Sequence, residues 1–240
     1  MIRCFLIISF ISIYTIYGQH ILLSETTPDE FSELDNNFGP NRKYFIYNYV
    51  GYGIKSDFVS FDNDNYLPLK SSFEFETGTF YRFRLNKLFA VISDLTFVSS
   101  WNRIKLDANP ELPVANLDLN KAKYIYHQVK SALAFQFNFK PKRGNQLGKY
   151  LDLGVYGSYN YSRRFMYRLD IVDVAKNAKV TMKKLAYMNP VEYGFSFRLG
   201  NGRSCIYSRY RLSDIFNENT NFISLELPRL TMGLEFLIYE

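Results

Sequence analysis

Histidine supply limits the chemistry available to this chain. Only His20 and His127 occur in 240 residues, so a Ser-His-Asp triad or a hydrolytic metal site would have to be built around a single imidazole. His20 falls at the end of an amino-terminal export segment, and His127 is followed by Gln128 and Val129, so His127 reads as a structural residue. Glu74 and Glu76 sit two apart on one face of an alternating run, as paired carboxylates of a glycosidase could. Arg82 and Arg84 share that face further along, which favours an ion-pair network instead. The glycines of GYG (51–53) lie within an extended run and those of GNQLG (144–148) in a turn. Neither opens a helix, as a phosphate-binding loop must. Cys205 stands alone once the export segment, with Cys4, is set aside; it can form no internal disulfide and reads as a small buried residue near a strand start. No catalytic, cofactor-binding or metal-binding set is expected.

The elements that must position these residues are strands. In SFEFETGTFYRFRL (72–85), Phe73, Phe75, Tyr81, Phe83 and Leu85 alternate with Glu74, Glu76, Arg82 and Arg84, which is period 2. A soluble sheet would bury the apolar face and wet the charged one; a membrane barrel turns the apolar face to lipid and the charged face to its lumen. Periodicity alone permits both. The same contrast recurs at Val191, Tyr193, Phe195, Phe197 and Leu199 against Glu192, Gly194, Ser196 and Arg198, and at Leu230–Ile238 against Thr231, Gly233 and Glu235. Small residues interspersed among the charges point to a confined interior, since water imposes no such size limit. Two runs are less clean: Asn48 shares a face with Ile46 and Val50, and Asp94 with Ile92 and Val98.

Strands are expected near 44–54, 72–85, 89–100, 123–140, 149–168, 187–199, 204–212 and 226–239. The connections at 86–88, 141–148 and 200–203 are short and rich in turn residues, while those at 55–71, 101–122, 169–186 and 213–225 are long. Short and long alternate in step, as in a barrel with short turns at one end and long loops at the other. A mean hydropathy of −0.19 beside an 18% aromatic content fits alternating strands with aromatic girdles better than buried apolar helices. Net charge is +6, but the Lys and Arg residues are dispersed and no recognition module is present, which argues against nucleic acid.

At the amino terminus, Arg3 precedes an apolar run from Phe5 to Tyr17 and then Gly18-Gln19, the pattern of a cleaved signal peptide and too short for a comfortable membrane helix. An acidic stretch follows, with a capping pattern at Thr27-Pro28-Asp29-Glu30 that predicts a short helix over about 28–35. The expected organisation is a signal peptide over 1–18, a periplasmic leader over 19–43 and a barrel over 44–240. The fold class is all-β: an eight-stranded antiparallel up-and-down transmembrane β-barrel with short periplasmic turns and long extracellular loops. Its lumen would hold Glu74, Glu76, Arg82, Arg84, Asp94, Lys130, Asp152, Glu192, Arg198, Arg209, Arg211 and Glu235, both signs together and mutually paired.

GNQLGKYLDLGVYG (144–157), YRLSDIF (210–216) and the terminal strand over 228–239 resemble the small outer-membrane barrels of Gram-negative bacteria, the PorT-like family first and OmpX-type barrels more loosely. The chain departs from them in ending Tyr239-Glu240 instead of on a final aromatic. The resemblance implies a cell outer-membrane location, contact with outer-membrane lipid and the outer-membrane assembly machinery, and a structural or interaction role through the loops. Some PorT-like proteins serve protein secretion, which makes secretion-system proteins the alternative partners. Arg163, Arg164, Arg168, Lys183 and Lys184, with Lys176 and Lys179, read as a solvated basic loop or as contacts to lipopolysaccharide phosphates. Trp101 reads as an aromatic-belt residue. Two other classes stay open: a secreted lipocalin-like barrel with its apolar faces inside, and a lipid-modifying barrel enzyme. Deacylases of the latter kind carry a His-x-Ser pair that the residues after His127 do not repeat.

Overall fold

In a computed structural model, the described residues are 37–56, 72–104, 119–140, 142, 146–171, 176–217 and 227–239. The expected signal peptide and leader helix lie outside them. Among the described residues nine strands form one antiparallel sheet: β1 (Tyr44–Ser56), β2 (Phe73–Arg84), β3 (Phe89–Ile104), β4 (Leu119–Lys140), β5 (Lys149–Ile171), β6 (Lys176–Lys183), β7 (Val191–Asn201), β8 (Ser204–Arg211) and β9 (Leu230–Ile238). Sequential neighbours pair from β1 to β5, then β5 with β7, β7 with β8, and β8 with β9; β9 returns to β1. The ring is therefore closed with eight strands, and closure leaves it no edge.

The ninth strand, β6, is an addition that the sequence pattern does not predict, since residues 169–186 read as a loop. β5 is long enough to serve two partners. Its first half, Lys149–Tyr159, pairs with β7, and its second half, Arg164–Ile171, pairs with β6. β6 and β7 act as one barrel strand interrupted at 184–190. Lys184 sits there with φ 54°, a left-handed conformation that ends the extended run. Leu185 and Met188 then turn inward. In KNAKVTMK of β6, Ala178, Val180 and Met182 alternate with Asn177, Lys179, Thr181 and Lys183. Val180 packs on the inner apolar cluster while Lys179 and Lys183 are exposed, so the outward face is basic where this strand stands beyond the apolar band.

That band is on the outside. Phe135 is 69% exposed, Leu133 58% and Phe195 55%, while Glu76 is 0% exposed and Glu74 3%. The apolar faces of the alternating runs thus point away from the ring and the charged faces into it, the reverse of a lipocalin-like interior. Aromatic rings bound the band. Toward the long connections, Tyr52, Phe73, Trp101, His127 and Tyr161 form a chain across β1 to β5, with successive centroids 5.0 to 6.4 Å apart. Toward the short turns lie Tyr44 against Phe83 and Phe89 against Phe137. From His127 to Phe137 on β4 is ten steps, ~33 Å of strand and ~25 Å of height at a ~40° tilt. The exposed polar residue on β1 is tied down locally, with Thr79 Oγ1 donating to Asn48 Oδ1 at 2.8 Å. On β3, Ile92 and Val98 share the inward face with Asp94, so apolar residues there belong to the interior.

Candidate functional site

The interior is the chemically distinctive part of the molecule, and its residues come from every strand of the ring. Alternation brings them in, and small neighbours give them space. A Cβ on Gly51 would lie 2.7 Å from Glu76 Cγ, one on Gly53 would lie 2.2 Å from the Tyr207 hydroxyl, and one on Gly200 would lie 2.0 Å from the Tyr150 ring. Each large side chain therefore occupies volume that a neighbouring strand has vacated.

Two ionic tiers occupy the middle of the barrel. In the tier nearer the long connections, Lys130 Nζ donates to Glu76 Oε2 at 2.9 Å and Arg209 Nη2 donates to Glu76 Oε1 at 2.6 Å. Arg209 also lies 3.3 Å from Glu74 Oε1, and Lys55 lies 3.4 Å from Glu74 Oε2. Lys55 Nζ donates to the Tyr126 hydroxyl at 2.5 Å. Above these, Asn160 Nδ2 donates to Glu192 Oε1 at 2.5 Å, and Arg211 donates to the carbonyls of Ser213 and Leu227.

The second tier is arranged around Arg198. Its Nε is 3.1 Å from Asp152 Oδ2, and its Nη1 is 3.9 Å from both Asp94 Oδ2 and Glu235 Oε2. The guanidinium also packs 3.9 Å from the centroid of Phe80, whose other neighbour is Tyr49 at 4.2 Å, a cation–π contact in a dry setting. Tyr49 shares a 2.6 Å hydrogen bond with Thr96 Oγ1, which donates to Asp94 at 2.7 Å. Arg82 donates from Nε to Gln136 Oε1 at 2.5 Å, and Gln136 Nε2 donates to Asp152 Oδ1 at 2.9 Å.

Apolar clusters flank the tiers. Toward the long connections, Ile104, Tyr124, Phe165, Met188, Ile215 and Leu227 pack together. Asn189 Nδ2 holds the interrupted segment by donating to the Asp214 carbonyl at 2.9 Å. Toward the short turns lie Phe45, Tyr47, Tyr150, Cys205 and Leu237. A cavity of about 20 Å³ among Lys55, Glu74, Lys130, Glu192 and Arg209 has room for about one water.

Eleven of the twelve residues assigned to the lumen from sequence lie buried in this interior. Arg84 does not. It ends β2 and donates to the carbonyls of Asn86 and Asn41 at the short-turn end, where the strand no longer encloses its side chain. Lys55 takes its place inside. The sequence pattern ends the first strand at 54 and assigns 55–71 to a connection, whereas β1 continues to Ser56. Among the described residues the buried set comprises six carboxylates and six cations.

The other singled-out residues lie outside. Ser99 and His127 are register partners on the outer face, with Ser99 Oγ 2.8 Å from His127 Nδ1. That imidazole also meets the Trp101 and Tyr161 rings. A bulge on β5, where Gln128 faces Asn160 and His127 faces Ser162, inserts Tyr161 and resets the alternation. Arg163 accordingly turns away from the outer face and donates to the Met188 carbonyl, whereas Arg164, Arg168, Lys183 and Lys184 are partly or fully exposed outside.

No protein-family model and no curated protein matches this chain. Among solved structures, the crystal structure of Ail, the attachment invasion locus protein of Yersinia pestis, is similar at 14% identity with a TM-score of 0.30, covering 80% of this chain and 93% of that one. The closed ring described above rests on this chain's own strand register.

Proposed function

We propose that this chain is an integral outer-membrane β-barrel that anchors and presents its long connections, without conducting solutes. One observation carries the reading: exposed aromatic and aliphatic residues form the outer wall while charged residues fill the interior. A water-soluble barrel would pay heavily for that arrangement, whereas a bilayer requires it. The spacing of the aromatic girdles suits the ~25 Å apolar band of such barrels. The paired charges and the flanking apolar clusters argue against a diffusion pore, because any solute would have to break several buried ion pairs to pass.

The same orientation favours the long connections as the extracellular end. The secretion-accessory role implied by the PorT-like resemblance has no distinguishing residue among those described. A lipid-modifying activity would have to use Ser99 and His127, and no carboxylate orients that imidazole among the described residues.

The test is fractionation of the expressed protein, followed by gel electrophoresis with and without heating, and planar-bilayer recording of the purified barrel. Recovery in the outer membrane, a heat-dependent mobility shift and the absence of steady conductance are expected. A detergent-independent soluble protein with no shift would overturn the reading.

A further inference from the structure

Above the aromatic girdle, on the outer wall, β3 to β6 carry an unusual register. Arg103 faces Lys123 across β3 and β4, Lys121 faces Arg168 across β4 and β5, Arg168 faces Lys179 across β5 and β6, and Arg164 faces Lys183. Like charges directly opposite each other on a sheet are destabilising. Four such pairs adjoin here, and no salt bridge relieves any of these cations among the described residues. Arg164 does donate to Ser162 Oγ at 3.2 Å, which is a neutral partner. Among the described residues the positive charge is thus concentrated with no salt-bridge partner.

Its position indicates what compensates it. Trp101, His127 and Tyr161 mark the top of the apolar band on β3, β4 and β5, and the cations begin within a few residues above them, at the level of lipid headgroups. We infer that this four-strand patch binds the phosphates of a multiply phosphorylated glycolipid in the outer leaflet, beside the barrel wall. The four strands span ~14 Å at the usual ~4.8 Å separation, wider than one phosphate group can bridge, which favours a headgroup with at least two. Arg and Lys donors suit phosphate oxygens, with Arg able to engage them in pairs. The inference rests on the outer-membrane reading and names a partner for it. It differs from the basic set read from sequence by leaving out Arg163, Lys176 and Lys184 and adding Arg103, Lys121 and Lys123.

The test uses the refolded full chain in phosphatidylcholine bilayers and records the temperature at which the heat-modifiable gel band is lost. Adding diphosphorylated lipid A is expected to raise that temperature by several degrees, and the same lipid stripped of phosphate is expected to leave it unchanged. The variant K123E/R168E/K179E should lose the rise, while K140E/K149E, exposed at the short-turn end, should keep it. If charge reversal prevents folding, K123Q/K179Q should show a reduced rise. An equal rise with phosphatidylglycerol would overturn the glycolipid assignment, and no rise with any anionic lipid would overturn the site. A wild-type chain lacking the heat-modifiable band altogether would instead overturn the barrel reading on which this inference depends.

Discussion

The two ionic tiers of the interior solve the same problem with opposite stoichiometry. In the tier near the long connections, Lys55, Lys130 and Arg209 surround Glu74 and Glu76; in the other, Asp94, Asp152 and Glu235 surround Arg198. The first has redundant cations, so losing one leaves each carboxylate with another partner. The second depends on a single guanidinium. Neutrality is achieved over the whole interior and not tier by tier, which makes individual positions unequal in importance even though all are buried ions.

The largest effect is expected at the hub. Arg198→Met should destabilise the barrel by about 3–5 kcal/mol, the usual cost of stranding buried charge, seen as a lower urea midpoint for the folded gel band. Adding Asp152→Asn should recover part of that loss; an Arg198→Met variant as stable as wild type would break the comparison. Glu76→Gln comes next, at about 2 kcal/mol, because Arg209 retains Glu74 at 3.3 Å. Gly200→Ala should cost about 1–3 kcal/mol through overpacking against Tyr150, with Gly200→Ala/Tyr150→Phe still impaired, since the ring itself collides. The smallest effect is expected at Glu235. Its Oε2 has no hydrogen-bond partner and Arg198 has two other carboxylates nearby, so Glu235→Gln should change stability by less than about 1 kcal/mol. A loss as large as that of Glu76→Gln would show that the second tier needs all three acids.

Much of this was legible in the sequence because alternation and confinement leave marks there. Glu74, Glu76, Glu192 and Arg198 are separated from the apolar face by single residues, and the glycines among them signal shared volume. What escaped the pattern did so for local reasons. Arg84 has the parity of a lumen residue but stands at the end of its strand, and Lys55 lies just beyond the last apolar residue of its own. Tyr161 is an inserted bulge residue that reverses the faces of everything after it, which moves Arg163 inward. β6 does alternate, with Ala178, Val180 and Met182 on one face, but the run is short and its outward face carries Lys179 and Lys183 instead of apolar residues, so the segment resembled a loop. Pairing across the barrel within each tier could not be read at all, since Glu76 and Arg209 meet only once the ring closes.

The six buried carboxylates and six buried cations sum to zero, so the formal net charge of +6 belongs to residues outside that set. Under the outer-membrane reading proposed above, such an interior would behave in a transmembrane field as the dielectric of a capacitor: its dipoles would tilt and relax without any carrier crossing. A voltage step should therefore draw only a brief displacement current through this barrel.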